Sequence, residues 1–306
     1  MARVVVLGNT AATRHFLRQG LGIQQLEFTG LAAGPDRDLL AYGFEYGSGA
    51  SRFRGTVEVR DDAVVLAGRY GRGGLRHDTI PFLDPGAADD PATAAAKPDV
   101  VVVGEAWDGP VPAPLLEPAP RLVRFGPPGP VLPDAVAVPA AVAWAANTVV
   151  DAVRPLAAVT AASVVAVGTE PASGTGRVAA LAVRGGAPGR VCHPWPAGPD
   201  PAVAGVDVVG GAPEPVATAV VQLAVEQPVE AAAVARRLAA AARRTRLEVR
   251  PGPLGSADAL GSAAGLVDAS AVAVAGRAVV VAVHCDVLTL RAALACDLAT
   301  GGAGWT

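Results

Sequence analysis

An α/β chain in two domains, built first on a parallel sheet and then on an α+β arrangement with a mostly antiparallel sheet, is what three features of the 306 residues predict. Continuous apolar runs at residues 4–7 and, after Asp99, through Val103 suit strands of a parallel sheet, whose two faces are both covered. Helical spacing follows directly on the first run, which opens a β-α-β unit. At Val138 the texture changes to a long helical stretch, and strands follow it.

The elements are read in order. Val4, Val5, Val6 and Leu7 form the first strand, and the segment through Gly20 forms an amphipathic helix with Arg14 and Arg18 outward. Strands are expected at 25–32, 55–59, 63–66, 99–103 and 121–125, with Pro/Gly-rich loops at 84–91 and 126–133. A helix is expected from Val138 through Ala158, with Pro155 marking a kink or boundary. Four strands of a second sheet are placed at 163–167, 178–184, 216–225 and 271–283, and helices at 228–244 and 287–298. The Gly- and Pro-dense stretch 185–211 reads as a long surface excursion.

Composition narrows the function. A net charge of −3 supplies no basic field for nucleic acid or an anionic bilayer. Mean hydropathy is +0.38, yet each apolar run is broken well short of the ~18 residues of a membrane span. The opening residues are too strand-like for a secretory signal, so a cytoplasmic location is expected. Cys192, Cys285 and Cys296 are an odd set without CxxC spacing, which argues for reduced thiols and against disulfides or structural zinc. A single lysine, Lys97, among 25 basic residues reflects GC-rich coding rather than function.

The segment from Leu40 to Val57, with Tyr42, Tyr46, Ser48, Phe53 and Gly55 at matching positions, resembles the L-x-Y-x-x-x-Y-D-S-x-H-G-x-F-x-G-x-V stretch of glyceraldehyde-3-phosphate dehydrogenases. Pro253-Leu254-Gly255-Ser256-Ala257-Asp258 and then Asp268-Ala269 are similar to that family's P-L-V-S-S-D and F-D-A. Val225-Glu226-Gln227-Pro228-Val229 resembles L-E-K-P-V, and Arg154-Pro155-Leu156-Ala157 resembles A-P-L-A. The resemblance implies a Rossmann-type domain over 1–137, a catalytic-type domain over 138–286, and a last helix within 287–306 returning to the first domain. It also implies a homo-oligomer, a dimer or tetramer.

The same comparison removes the chemistry. A dinucleotide turn needs glycines for its tight bend, for close approach to the pyrophosphate and for helix packing. Where the family has N-G-F-G-R-I-G-R, this chain has Leu7-Gly8-Asn9-Thr10-Ala11-Ala12-Thr13-Arg14, with branched residues in glycine positions. Gly8, Asn9 and Thr10 are the residues that a cofactor would meet, but no cofactor is expected, NAD included. The ribose-binding acid falls at Ala33, with Asp36 and Asp38 as its nearest substitutes.

The family's nucleophilic cysteine aligns with Thr148 in Asn147-Thr148-Val149-Val150-Asp151-Ala152. No histidine lies between His77 and His193 to serve as its base. The nicotinamide-orienting asparagine falls at Val287, and of W-Y-D-N-E only Asp286 is kept. The basic residue before the phosphate-binding strand falls near Gly210, and its phosphate-binding segment has no counterpart in 192–211.

The groups left as catalytic candidates are Thr148, Glu170 and His284, with Asp151 as a further acid or base. His284 and Cys285 are neighbours on a strand and so point to opposite faces, which argues against a Cys–His dyad. The string Cys192-His193-Pro194-Trp195-Pro196 either lines a site or pins a loop. Asp61-Asp62 and Asp89-Asp90 read as solvated turns, and Arg236-Arg237 and Arg243-Arg244 as a helix face in solvent or at an oligomer contact. No metal is expected. Three readings stay open: a non-redox step in specialised metabolism, a non-catalytic scaffold for a metabolite or protein, and an atypical NAD(P)-dependent oxidoreductase.

Overall fold

A computed structural model describes residues 1–34, 37–46, 53, 55–69, 75–84, 86, 90–126, 134–167, 203–209 and 216–301. The chain divides into two compact units, one of Met1–Val138 with the end of the chain from Arg291, the other of Pro139–Leu290.

The first unit opens with β1 (Ala2–Leu7), α1 (Ala11–Gly20), β2 (Leu26–Ala32) and α2 (Arg37–Tyr46). A meander of β3 (Gly55–Val59), β4 (Ala63–Arg69) and β5 (Leu75–Pro81) follows, then α3 (Pro91–Ala96), β6 (Val100–Val103), β7 (Arg121–Phe125) and β8 (Val136–Val138). Its main sheet has the order β2-β1-β6-β7-β8, and all its pairings are parallel. Val4 through Leu7 and Val101 through Val103 are wholly buried, which is why those stretches carry no polar residue.

On one face, Phe16 of α1 meets Phe28 and Phe125 edge-on. The last helix, α6 (Val287–Thr300), belongs to this layer through Arg291 onward. Arg291 is buried, makes a 2.8 Å ion pair with Glu105 just past β6, and lies over the Phe125 ring. The Cys296 thiol, also buried, faces the Phe16 carbonyl.

The second unit runs α4 (Ala141–Val153), β9 (Val159–Val167), β10 (Val203–Val209), β11 (Val216–Val225), α5 (Ala231–Ala242), β12 (Leu247–Arg250), β13 (Gly265–Asp268), β14 (Ala273–Ala275) and β15 (Ala278–Asp286). Its seven-stranded sheet has the order β10-β9-β11-β15-β13-β12, with β14 folded back on β15. β9, β11, β15 and β13 pair antiparallel, while β10 and β12 join the two ends by parallel pairings. Burial alternates along β11 and β15: Ala217, Ala219, Val221, Val279, Val281, Val283 and Cys285 are sealed, and the residues between them are not. The sealed face lies under α4, where Trp144 packs so closely that a Cβ on Gly265 would stand 2.7 Å from its ring.

Several expectations are corrected. The helix expected to Ala158 stops at Val153, because Pro155 cannot continue it, and β9 starts at Val159 rather than Ser163. The run 271–283 is a hairpin rather than one strand, turned at Gly276, whose φ of +59° a β-branched residue would resist. The excursion 185–211 contains β10, and Asp90 is the N-cap of α3, accepting from Ala92 and Thr93 backbone N–H at 3.1 Å. The second sheet has more than four strands. The strand read at 178–184 lies outside the described residues. Among those described, no helix is long and apolar enough to cross a membrane.

Candidate functional site

The turn joining β1 to α1 lies where the strand order of the first sheet reverses, between β1 and β6. In open parallel sheets that reversal opens the crevice that ligands use. Gly8 makes the bend with φ +98°, and its N–H donates to the Ala32 carbonyl at 2.8 Å. Two threonines then close the helix start. The Thr13 backbone N–H donates to Thr10 Oγ1 at 3.2 Å, and the Thr10 N–H donates to Thr13 Oγ1 at 2.8 Å.

Thr13 Oγ1 donates in turn to the Gly8 carbonyl at 2.9 Å. This is a capping box, which uses N–H groups that an anion would otherwise take. Below the turn lies Gly104, the residue after β6. A Cβ placed there would stand 3.1 Å from Thr13 Cγ2 and 3.3 Å from Thr10 Cγ2. The two methyl groups therefore fill the space beside the one glycine of the neighbouring strand end. Asn9 is tied down as well, because Arg14 Nη1 donates to its Oδ1 at 2.8 Å and to its carbonyl at 3.2 Å. The start of α1 is thus capped by its own side chains.

In the second unit Thr148 is buried on α4, one turn after Trp144, and its hydroxyl donates to the Trp144 carbonyl at 2.8 Å. That back-bond occupies the proton a nucleophile would surrender. His284 occupies the other face of the sheet from α4, since it alternates with the sealed Val283 and Cys285. Thr148 and His284 are thus held on opposite sides of one sheet and do not converge. Glu170 lies outside the described residues, as do Asp36 and the Cys192–Pro196 string.

What does meet His284 is Thr218, a residue that no local motif singles out. Thr218 and His284 are directly paired across β11 and β15, and Thr218 Oγ1 is 2.8 Å from His284 Nδ1. On the other side His284 pairs with Leu266 of β13. Leu266 belongs to an apolar cluster with Val216, Leu254 and Ala259. Burial pushes the imidazole below its ordinary pKa, against the opposing pull of the Asp258 and Asp268 carboxylates.

Asp286, the one residue kept from W-Y-D-N-E, has a structural task. Its Oδ1 accepts from the Thr289 N–H at 2.9 Å, capping α6, and its Oδ2 accepts from the Gly261 N–H at 2.8 Å. Burial raises its pKa, and the same two backbone bonds act in the opposite direction. Among the described residues, no three His, Cys, Asp or Glu side chains gather as ligands for a metal ion. Comparison of the sequence with protein-family models and with curated proteins gives no match.

Proposed function

We propose that this chain is a divergent glyceraldehyde-3-phosphate dehydrogenase-like protein that does not carry out the phosphorylating dehydrogenase reaction and serves a non-redox step instead. The observation that carries the reading is the self-closed turn after β1, where Thr10 and Thr13 cap α1 and fill the space beside Gly104. The framework supports the family half of the reading. A parallel bridge between Leu31 and Phe82 sets Phe82 beside β2, so the sheet order runs Phe82, β2, β1, β6, β7, β8. That is the order of a doubly wound dinucleotide-binding sheet. Loss of the reaction is supported by Thr148 standing in the cysteine's place with its hydroxyl already bonded.

Calorimetric titration with NAD⁺ and with NADP⁺ tests this reading. No saturable binding is expected up to about millimolar nucleotide, a Kd equivalent to ~4 kcal/mol. Micromolar affinity together with nucleotide reduction in the presence of an aldehyde would overturn it.

A further inference from the structure

We propose that the outer face of α5 is a docking surface for an acidic α-helix of a partner protein, held by four arginines in two columns.

From Ala231 to Arg246 the chain holds five arginines and no carboxylate. With +5 here and −3 for the whole chain, the remainder carries −8, so the charge is polarised rather than mixed. α5 packs on α4 and β12, and its sealed residues are Val234 and Leu238. At about 100° per residue, Arg236 and Arg243 form one column opposite those two, and Arg237 and Arg244 form a second about a quarter-turn away. The Thr245 N–H still donates to the Ala241 carbonyl at 3.0 Å, so the helical turn is kept through Arg244. Arg236, Arg243 and Arg244 are exposed and Arg237 is half-buried. Between the columns lie Ala233 and Ala240, a shallow floor, and within each column the spacing is about 10 Å.

Among the described residues, no carboxylate pairs with any of these four arginines. The Arg237 Nε is covered and has no hydrogen-bond partner. Each position three or four residues from Arg236 and Arg237 is alanine or valine, so α5 supplies no partner of its own. The helix dipole favours Arg243 and Arg244 at its C-terminal end, but it does nothing for the pair in the middle.

The geometry selects the occupant. A bilayer takes up large apolar side chains, and this face offers only alanine between its arginines. A nucleic-acid backbone extends well past one helix, where the remaining −8 repels it. A second copy of α5 would set arginine against arginine. An acidic helix has the same rise per residue, so carboxylates repeated every seven residues meet both columns one to one. The alanine floor lets the two axes come within about 8 Å, the close end of helix packing. Each guanidinium then holds a carboxylate through two parallel N–H···O bonds.

The probe is a blocked, fluorescent three-heptad peptide, each heptad Glu-Glu-Leu-Ala-Ala-Ala-Ala, titrated with the whole chain. Saturable binding with a Kd below about 100 μM is expected in ~50 mM salt, weakening about tenfold by ~200 mM. Arg236→Ala/Arg237→Ala and Arg243→Ala/Arg244→Ala should each lose about tenfold or more. Arg60→Ala/Arg277→Ala removes the same charge from exposed positions elsewhere and should bind like the native chain. Alanine is the better helix former, so the α5 variants keep their fold. The peptide with lysine for glutamate should bind only the chain carrying Arg236→Glu, Arg237→Glu, Arg243→Glu and Arg244→Glu together.

Equal binding of a peptide whose glutamates are respaced to every fifth residue, or an equal loss in Arg60→Ala/Arg277→Ala, would overturn the proposal by leaving only bare charge. Tighter binding of phosphatidylserine vesicles or of single-stranded oligothymidylate would overturn it in favour of a surface that reads phosphate. Absence of saturation below about millimolar peptide would also sink it. Whether the chain binds NAD bears on none of these outcomes.

Discussion

The stability of this protein should fall as the solution is made mildly acidic, and His15 should be the main reason. His15 lies on α1, is 4% exposed, and its Nε2 is buried without a hydrogen-bond partner. Burial, with Arg18 and then Arg14 adding positive charge nearby, lowers its pKa to about 3 from the model-peptide 6.5. A group whose folded pKa is depressed contributes stability above its unfolded pKa and loses it as pH falls, since the unfolded chain binds the proton first. The window is therefore from 6.5 down to about 3. At about pH 5 the loss is roughly 1.5 units, or ~2 kcal/mol relative to about pH 8.

Urea unfolding of the native chain and of His15→Leu at those two pH values measures it. Carboxylates and the other histidines titrate in both proteins and cancel in the difference. The native chain should lose about 2 kcal/mol more than the variant between the two conditions. At the higher pH the leucine variant should be at least as stable, because it removes a buried unsatisfied nitrogen that costs about 1–3 kcal/mol. Equal pH dependence in the two proteins would refute the reasoning, because His15 would then have the same proton affinity folded and unfolded.

Other consequences follow from single contacts. Glu105→Gln leaves the Arg291 guanidinium buried without its carboxylate and should cost about 3–5 kcal/mol in chemical denaturation. The double variant Glu105→Gln/Arg291→Met should recover most of that loss. Asp286→Ala removes both the α6 cap and the Gly261 acceptor and should cost about 2–4 kcal/mol. Asp286→Asn, which keeps one acceptor oxygen, should cost about half as much by the same measurement. Gly104→Ala should destabilise by about 1–3 kcal/mol through its contact with the threonine methyls and the Leu7 carbonyl. Adding Thr13→Ser, which deletes one methyl and keeps the hydroxyl, should return part of that loss in a double-mutant cycle.

The framework was legible where local pattern and burial agree. Val4 through Leu7 and the strand at Val216–Val225 read correctly because one is sealed on both faces and the other alternates cleanly. Legibility failed where neighbours override pattern. β5 carries Arg76, His77, Asp78 and Thr79 before the sealed Ile80, so its polar residues hide a strand that pairing with β4 enforces. β10 lies in a stretch whose glycines and prolines argue for loop, and its pairing is the parallel ladder with β9.

The Gly276 turn was hidden inside an apolar run. The Thr218–His284 pair spans 66 residues, and a register shift of one would send His284 to the sealed face, so no local reading of the sequence could have joined the two.

The turn after β1 was legible in the opposite sense, since its sequence showed what was missing and only its geometry shows what was gained. A glycine-rich turn leaves the first N–H groups of its helix unpaired until an anion arrives. Thr10 and Thr13 satisfy two of those groups within the chain, and a threonine or serine cap of this type contributes about 1 kcal/mol. A phosphate that used either of those two N–H groups would have to displace a bond already made. Replacing either threonine alone with glycine opens one of these obstacles and forfeits the cap, which makes α1 less stable without giving it a ligand. The two positions support each other, and this reciprocity favours retention of the closed turn once both threonines are in place.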